Sequence, residues 1–196
     1  MLALYVKDGK PKYAIGKRDM LLGNFYYYND DERLFHGGSQ TQFGINDMVV
    51  YNDEVYVAGY GSIMHVTDDG ATRTMENIGG ENFTSIAIGG NYLFACTYSG
   101  KIYRSEIGSN SWKKISREGK KLLFIEADDY GDVIAMGETK EVLVSMDFGN
   151  EWREEKYEEG RKISCLVKIN NEFFAGTEKG TIIKINKESL AVNVED

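Results

Sequence analysis

Short apolar runs alternate with polar turns along the whole chain, and no stretch sustains the 3.6-residue spacing of an amphipathic helix. One pattern recurs: an apolar run ending in alanine. It appears at Lys12-Tyr13-Ala14, Tyr56-Val57-Ala58, Leu93-Phe94-Ala95, Val133-Ile134-Ala135 and Phe173-Phe174-Ala175, with intervals of 44, 37, 40 and 40 residues between the alanines. Before each run a polar turn separates it from another apolar segment: Leu4–Val6, Met48–Val50, Ile86–Ile88, Ile125–Ala127 and Leu166–Lys168. Each pair predicts a β-hairpin. A third strand is expected at Met20–Leu22, Ile63–Val66, Lys101–Tyr103, Val142–Val144 and Thr181–Ile183. A weaker fourth is expected at Arg33–Phe35, Thr72–Met75, Trp112–Ile115, Trp152–Glu154 and Leu190–Val192.

The third-to-fourth connection of the fourth repeat reads Ser145-Met146-Asp147-Phe148-Gly149-Asn150-Glu151-Trp152. In such a turn Asp147 accepts bonds from backbone amides, Gly149 takes positive φ, and Trp152 packs back on the hairpin. The third repeat keeps Ser105 and Trp112 at the same distances, 10 and 17 residues, from its alanine; the second keeps Asp68 and Gly70. This Ser-x-Asp-x-Gly-x-x-Trp segment resembles the Asp-box, or BNR repeat, found in β-propellers such as sialidases and many non-enzymatic binding proteins.

Four strands repeating every ~40 residues match the scale of propeller blades. The fold class expected is therefore all-β: a single domain over 1–196, a five-bladed β-propeller of four-stranded antiparallel blades near 1–41, 42–81, 82–121, 122–161 and 162–196. A β-sandwich is the alternative architecture. Leu2–Val6 and Leu190–Val194 fall at blade boundaries, so face packing of blade five on blade one would close the ring.

In a propeller the Asp-box turns lie toward the rim, which makes Ser145, Asp147, Gly149, Trp152, Asp68, Gly70, Ser105 and Trp112 structural residues. The candidate binding face is the other one, carrying the connections between strands two and three and the segments between blades. Lys17, Arg18, Tyr60, Tyr98, Lys140 and Lys179 are its candidate ligand- or partner-binding residues. Tyr60 and Tyr98 offer an aromatic platform, and the cations offer a site for phosphate or carboxylate. The plainer reading carries more weight: partly exposed tyrosines, and lysines neutralised by Asp19, Glu138 and Glu178.

Composition narrows the function. With a net charge of −8 the chain offers no broad phosphate-tracking surface, so no nucleic acid is expected. No apolar run approaches a membrane span, and a soluble, cytoplasmic protein is the default. Cys96 and Cys165 both stand in apolar runs and read as buried free thiols. Two distant histidines, His36 and His65, give no zinc signature, so neither metal nor cofactor is expected. Sialidases typically carry an Arg-Ile-Pro segment; here the one proline, Pro11, follows Lys10, and the seven arginines do not fall at matching positions. Asp47, Glu126, Asp128 and Asp129 remain the carboxylates that a glycoside hydrolase would use. The leading expectation is a non-catalytic module that binds a protein partner through its loop face. Alternatives are a lectin-like binder of carbohydrate or a small anionic ligand and, as a minor one, a glycosidase.

Overall fold

The computed structural model describes residues 2–7, 10–18, 23–28, 34–41, 45–52, 54–66, 72–74, 80–109, 111–116, 119–137, 141–156, 162–185 and 192–195. For 2–41, 66, 72–74, 141, 156 and 192–195 the description is of backbone alone. All strands pair antiparallel with their sequence neighbours, in four-stranded sheets. The first sheet is β1 (Leu2–Lys7), β2 (Lys10–Arg18), β3 (Gly23–Tyr28) and β4 (Leu34–Thr41). The second is β5 (Ile45–Tyr51), β6 (Glu54–Gly59), β7 (Ser62–Val66) and β8 (Thr72–Thr74). The third comprises β9 (Phe83–Gly89), β10 (Tyr92–Thr97), β11 (Ile102–Glu106) and β12 (Lys113–Lys114). The fourth comprises β13 (Phe124–Ala127), β14 (Val133–Met136), β15 (Glu141–Ser145) and β16 (Arg153–Lys156). The fifth comprises β17 (Ile163–Ile169), β18 (Glu172–Thr177), β19 (Ile182–Ile185) and β20 (Val192–Glu195). The chain divides into two compact units, Met1–Ile86 and Ala87–Asp196.

The recurring alanines mark the second strand of each sheet. Ala58, Ala95, Ala135 and Ala175 are fully buried. Within the second unit the reason for a small residue is visible. Ala135 and Ile125 of the fourth sheet share a core with Phe94, Cys96 and Ile102 of the third. Ala175 shares one with Ile134, Met136, Val142 and Val144 of the fourth, joined by Phe173, Ile183 and Ile185 of the fifth. Alternate residues of β14 thus face opposite neighbours, so this sheet is apolar on both sides. Such strands cannot show a polar alternation, and they read as continuous apolar runs.

Three features differ from the sequence reading. In the first sheet the third strand is Gly23–Tyr28, whose aromatic run Phe25–Tyr28 has high β propensity; the expected Met20–Leu22 lies outside the described residues. His36 and the Gly37-Gly38-Ser39 stretch belong to β4, which runs on past the Arg33–Phe35 expected for the fourth strand. A register shift near Asn24 and Phe25, which pair with Gln40 and Gly37, absorbs the extra residues as a bulge. Cys165 is exposed, whereas Cys96 is buried as expected; both are free thiols. The cause is another bulge, between Ile163 and Cys165. Ile163 and Leu166 are both buried although three residues apart, and the intervening Ser164 and Cys165 stand outward.

Candidate functional site

The turn at 145–152 joins β15 to β16, and its polar atoms are nearly all consumed locally. Buried Ser145 donates its hydroxyl to Asp147 Oδ1 at 2.7 Å and accepts the Gly149 amide at 2.8 Å. The same Asp147 oxygen accepts the amides of Asn150 and Glu151 at 3.0 and 2.9 Å. Burial works against ionisation of Asp147. The Glu151 amide, the Ser145 hydroxyl, the Asn150 amide and the Arg104 charge together outweigh it and hold the carboxyl below its usual range. Its contribution is therefore fully present above 3.8 and lost as pH falls through the lower folded value. Asp147→Ala should cost ~1–2 kcal/mol, measured by urea denaturation, since three donors lose their acceptor but water reaches most of them. An unchanged midpoint would show that water replaces the carboxylate fully.

Trp152 does more than return to its own hairpin. Its indole N–H is shared between Gly149 O, 3.0 Å away in its own turn, and Ile115 O, 3.1 Å away beyond β12 of the third sheet. Arg104 in β11 completes the link. It donates to the carbonyl of Phe148 and to Asn150 Oδ1, and lies 4.7 Å over the Tyr92 ring. Tyr92 in turn meets Phe148 at a 5.5 Å centroid distance. The box is a staple between sheets. In the third repeat the Ser105 hydroxyl lies 3.2 Å from both Glu106 O and Ser109 O, and Ser109 Oγ takes the Ser111 amide. Trp112 is buried there, its indole N–H without a partner among the described residues. Asp68 and Gly70 lie outside the described residues.

The connection between β10 and β11 is built differently. Thr97 is fully buried. Its hydroxyl takes the Lys101 amide at 3.1 Å, its own amide donates to Lys101 O, and its carbonyl accepts the Gly100 amide. Thr177 repeats all three bonds with Thr181 and Gly180 in the fifth sheet. The two turns share a Thr-x-x-Gly spacing, at Thr97–Gly100 and Thr177–Gly180, which is the sequence signal for this construction. The first turn is also tied to the segment that leads on to the fourth sheet, Leu122 N–H donating to Thr97 O, and the second to the segment that enters its own sheet, Glu178 N–H donating to Lys162 O. Tyr98 stands on the first of these turns, 51% exposed, with the Lys121 ammonium 4.3 Å above its ring. Lys179 is exposed on the second turn.

The remaining candidates fall apart from these. Tyr60, 43% exposed, follows β6 and forms an isolated bridge with Asn82. Tyr60 belongs to the first unit and Tyr98 to the second, and each is described within its own. Lys17 and Arg18 are strand residues of β2, opposite Asn24 and Gly23, rather than loop residues. Lys140 lies outside the described residues.

The carboxylates are mostly committed to backbone. Asp47 Oδ2 accepts from Ser85 Oγ at 2.6 Å and the Ile86 amide at 3.0 Å, and Oδ1 accepts the Met48 amide at 2.9 Å. Burial raises its pKa against the pull of those bonds. Asp128, fully buried, accepts the amides of Tyr130 and Asp132; Asp129 accepts that of Gly90. Glu126 is half-buried in β13. His65 has a carboxylate partner that sequence reasoning missed, Glu54 at 2.7 Å, and stacks on Tyr56 at 4.5 Å. Burial, then the charge and hydrogen bond of Glu54, push the Tyr56 hydroxyl up to about 12. Pairing of Tyr56 with His65 across β6 and β7 brings the three together.

No protein-family model matches the chain, and no curated protein matches it. Solved structures do match, 849 chains of them, so the likeness does not hang on one neighbour. The crystal structure of the WD40 beta propeller domain of Doa1 superposes with a TM-score of 0.72 over 92% of this chain, at 11% identity. The matched part is 63% of that chain's own length. Identity this low carries the fold alone, and with the antiparallel four-stranded sheets it establishes a β-propeller fold.

Proposed function

We propose that the chain is a small five-bladed propeller of Asp-box type, one domain over 1–196, acting as a non-catalytic module that binds a protein partner. The observation that carries this reading is Tyr98. A half-exposed aromatic on a turn fixed by Thr97 is a low-entropy anchor of the kind that dominates interfaces. Engagement of Asp47, Asp128 and Asp129 by backbone amides supports a structural role for them over acid-base chemistry.

The test is Tyr98→Ala. Its melting temperature should match the parent's, because an exposed side chain contributes within about 0.5 kcal/mol to stability. Recovery of specific partners from the source cell, quantified by mass spectrometry, should fall at least about tenfold. An unchanged partner set sinks the reading, as does a reproducible thermal shift of several degrees with a glycan or an anionic metabolite, which would favour the lectin-like alternative.

A further inference from the structure

The Asp-box turn carries one side chain that its internal bonds leave out. Ser145 and Asp147 bond to each other and to the turn amides, while Met146 between them stands 50% exposed. Among the methionines whose side chains are described it is alone in this, since Met48, Met64 and Met136 are buried. Its sulfur does not face water only. Arg153, which opens β16 opposite Val144, reaches across the mouth of the turn and donates from Nη2 to Met146 Sδ at 3.5 Å. A thioether is a weak acceptor. The bond therefore engages one lone pair of the sulfur lightly and leaves the other for reaction.

Beyond partner binding, we infer that Met146 is an oxidation site of this protein, converted to the sulfoxide by a two-electron oxidant of the peroxide class, and that Arg153 governs it. The second lone pair attacks one oxygen of hydrogen peroxide, and an S–O bond forms as the O–O bond breaks. The departing hydroxide collects the proton of the transferred oxygen and leaves as water, so sulfur loses two electrons and peroxide gains two. Before the reaction the Arg153 N–H draws density from the sulfur and slows its attack. Afterwards the sulfoxide oxygen, a better acceptor than the sulfur, takes over that N–H by a turn about the last side-chain bonds. A flexible apolar side chain thereby becomes polar and chiral. The bonds that hold the turn run through Ser145, Asp147 and Trp152 rather than the Met146 side chain, so the change stays on the surface.

The experiment treats the folded full chain with dilute hydrogen peroxide and follows each methionine by peptide mapping with mass spectrometry. Met146 should be oxidised at least about tenfold faster than Met48, Met64 and Met136, because oxidation follows access. In urea above the unfolding transition the four rates should converge. Arg153→Gln, or Arg153→Ala if the former folds poorly, should speed Met146 about twofold, the scale of one modest hydrogen bond, and leave the buried three unchanged. Protein carrying the sulfoxide at Met146 alone should keep the parent's urea midpoint. Comparable rates at all four sites in the folded chain overturn the inference, as do rates that stay apart in urea. A Met146 rate that is indifferent to both Arg153 variants, or slower in them, overturns it too. So does a midpoint that falls on oxidation, which would place the side chain in the core.

Discussion

Replacing Gly149 by alanine is expected to destabilise the protein by about 2–3 kcal/mol, read from the midpoint of a urea transition. Two independent costs combine. The residue has φ +83°, a conformation that costs a residue with a Cβ roughly 1–2 kcal/mol. The new Cβ would also stand 2.4 Å from Ile115 Cδ1 and 3.2 Å from Trp152 Cζ2. The Ile115 methyl is the far end of a half-buried side chain and can turn aside cheaply, so the lasting constraint is the Trp152 ring, whose displacement would strain its bond to Ile115 O; overpacking there adds about 1 kcal/mol, the low end of its usual range. Gly180 supplies the control. Its φ is +80°, but nothing lies within 4 Å of an added Cβ. Gly180→Ala should therefore show the backbone cost alone, about 1 kcal/mol. Equal losses at the two positions would mean that the Asp-box turn is not wedged against the third sheet.

This pair of glycines also shows what the sequence could and could not convey. The motif positions named the turn, and the alanine spacing placed every second strand, because both are local patterns with a fixed register. The partner of the turn was not legible. Ile115 and Arg104 precede Gly149 by more than thirty residues, and no local spacing links them. Bulges were invisible for a related reason. One extra residue in β17 turns Cys165 outward, yet the apolar composition of the run is unchanged. At the candidate site Tyr98 was found through its place in the repeat. Lys121 over its ring, and the buried Thr97 beneath it, belong to segments that meet only once the hairpin and the incoming strand are folded.

Asp47→Ala is expected to cost about as much as the glycine substitution, roughly 3 kcal/mol, because the three donors it satisfies include the amide of buried Ile86. A bulge between Ile45 and Asp47 places consecutive side chains on the same neighbouring segment. Asn46 donates to Asn82 Oδ1 at 2.9 Å and Phe83 O at 2.6 Å, while Asp47 takes Ser85 and Ile86. A structural clasp accounts for these contacts without assigning Asp47 to catalysis, and pH separates Asp47 from Asp147. Burial lifts the Asp47 pKa above 3.8, so the folded state holds its proton more tightly than the unfolded chain does. The stability linked to this shift is complete below 3.8 and disappears as pH rises through the folded value. Asp147 has the reverse sign. Asp47→Asn keeps one oxygen for Ser85 and Ile86 but turns its amide group toward the Met48 N–H, costing about 1–2 kcal/mol at neutral pH. The gap between parent and Asp47→Asn should then widen as pH is lowered toward 3.8, since the variant lacks the proton uptake that strengthens the parent. The gap for Asp147→Asn should instead close as pH passes below 3.8. Urea transitions recorded across that range decide it: gaps that run parallel, or an Asp47 gap that narrows in acid, would show that its carboxylate is not held in the desolvated setting described.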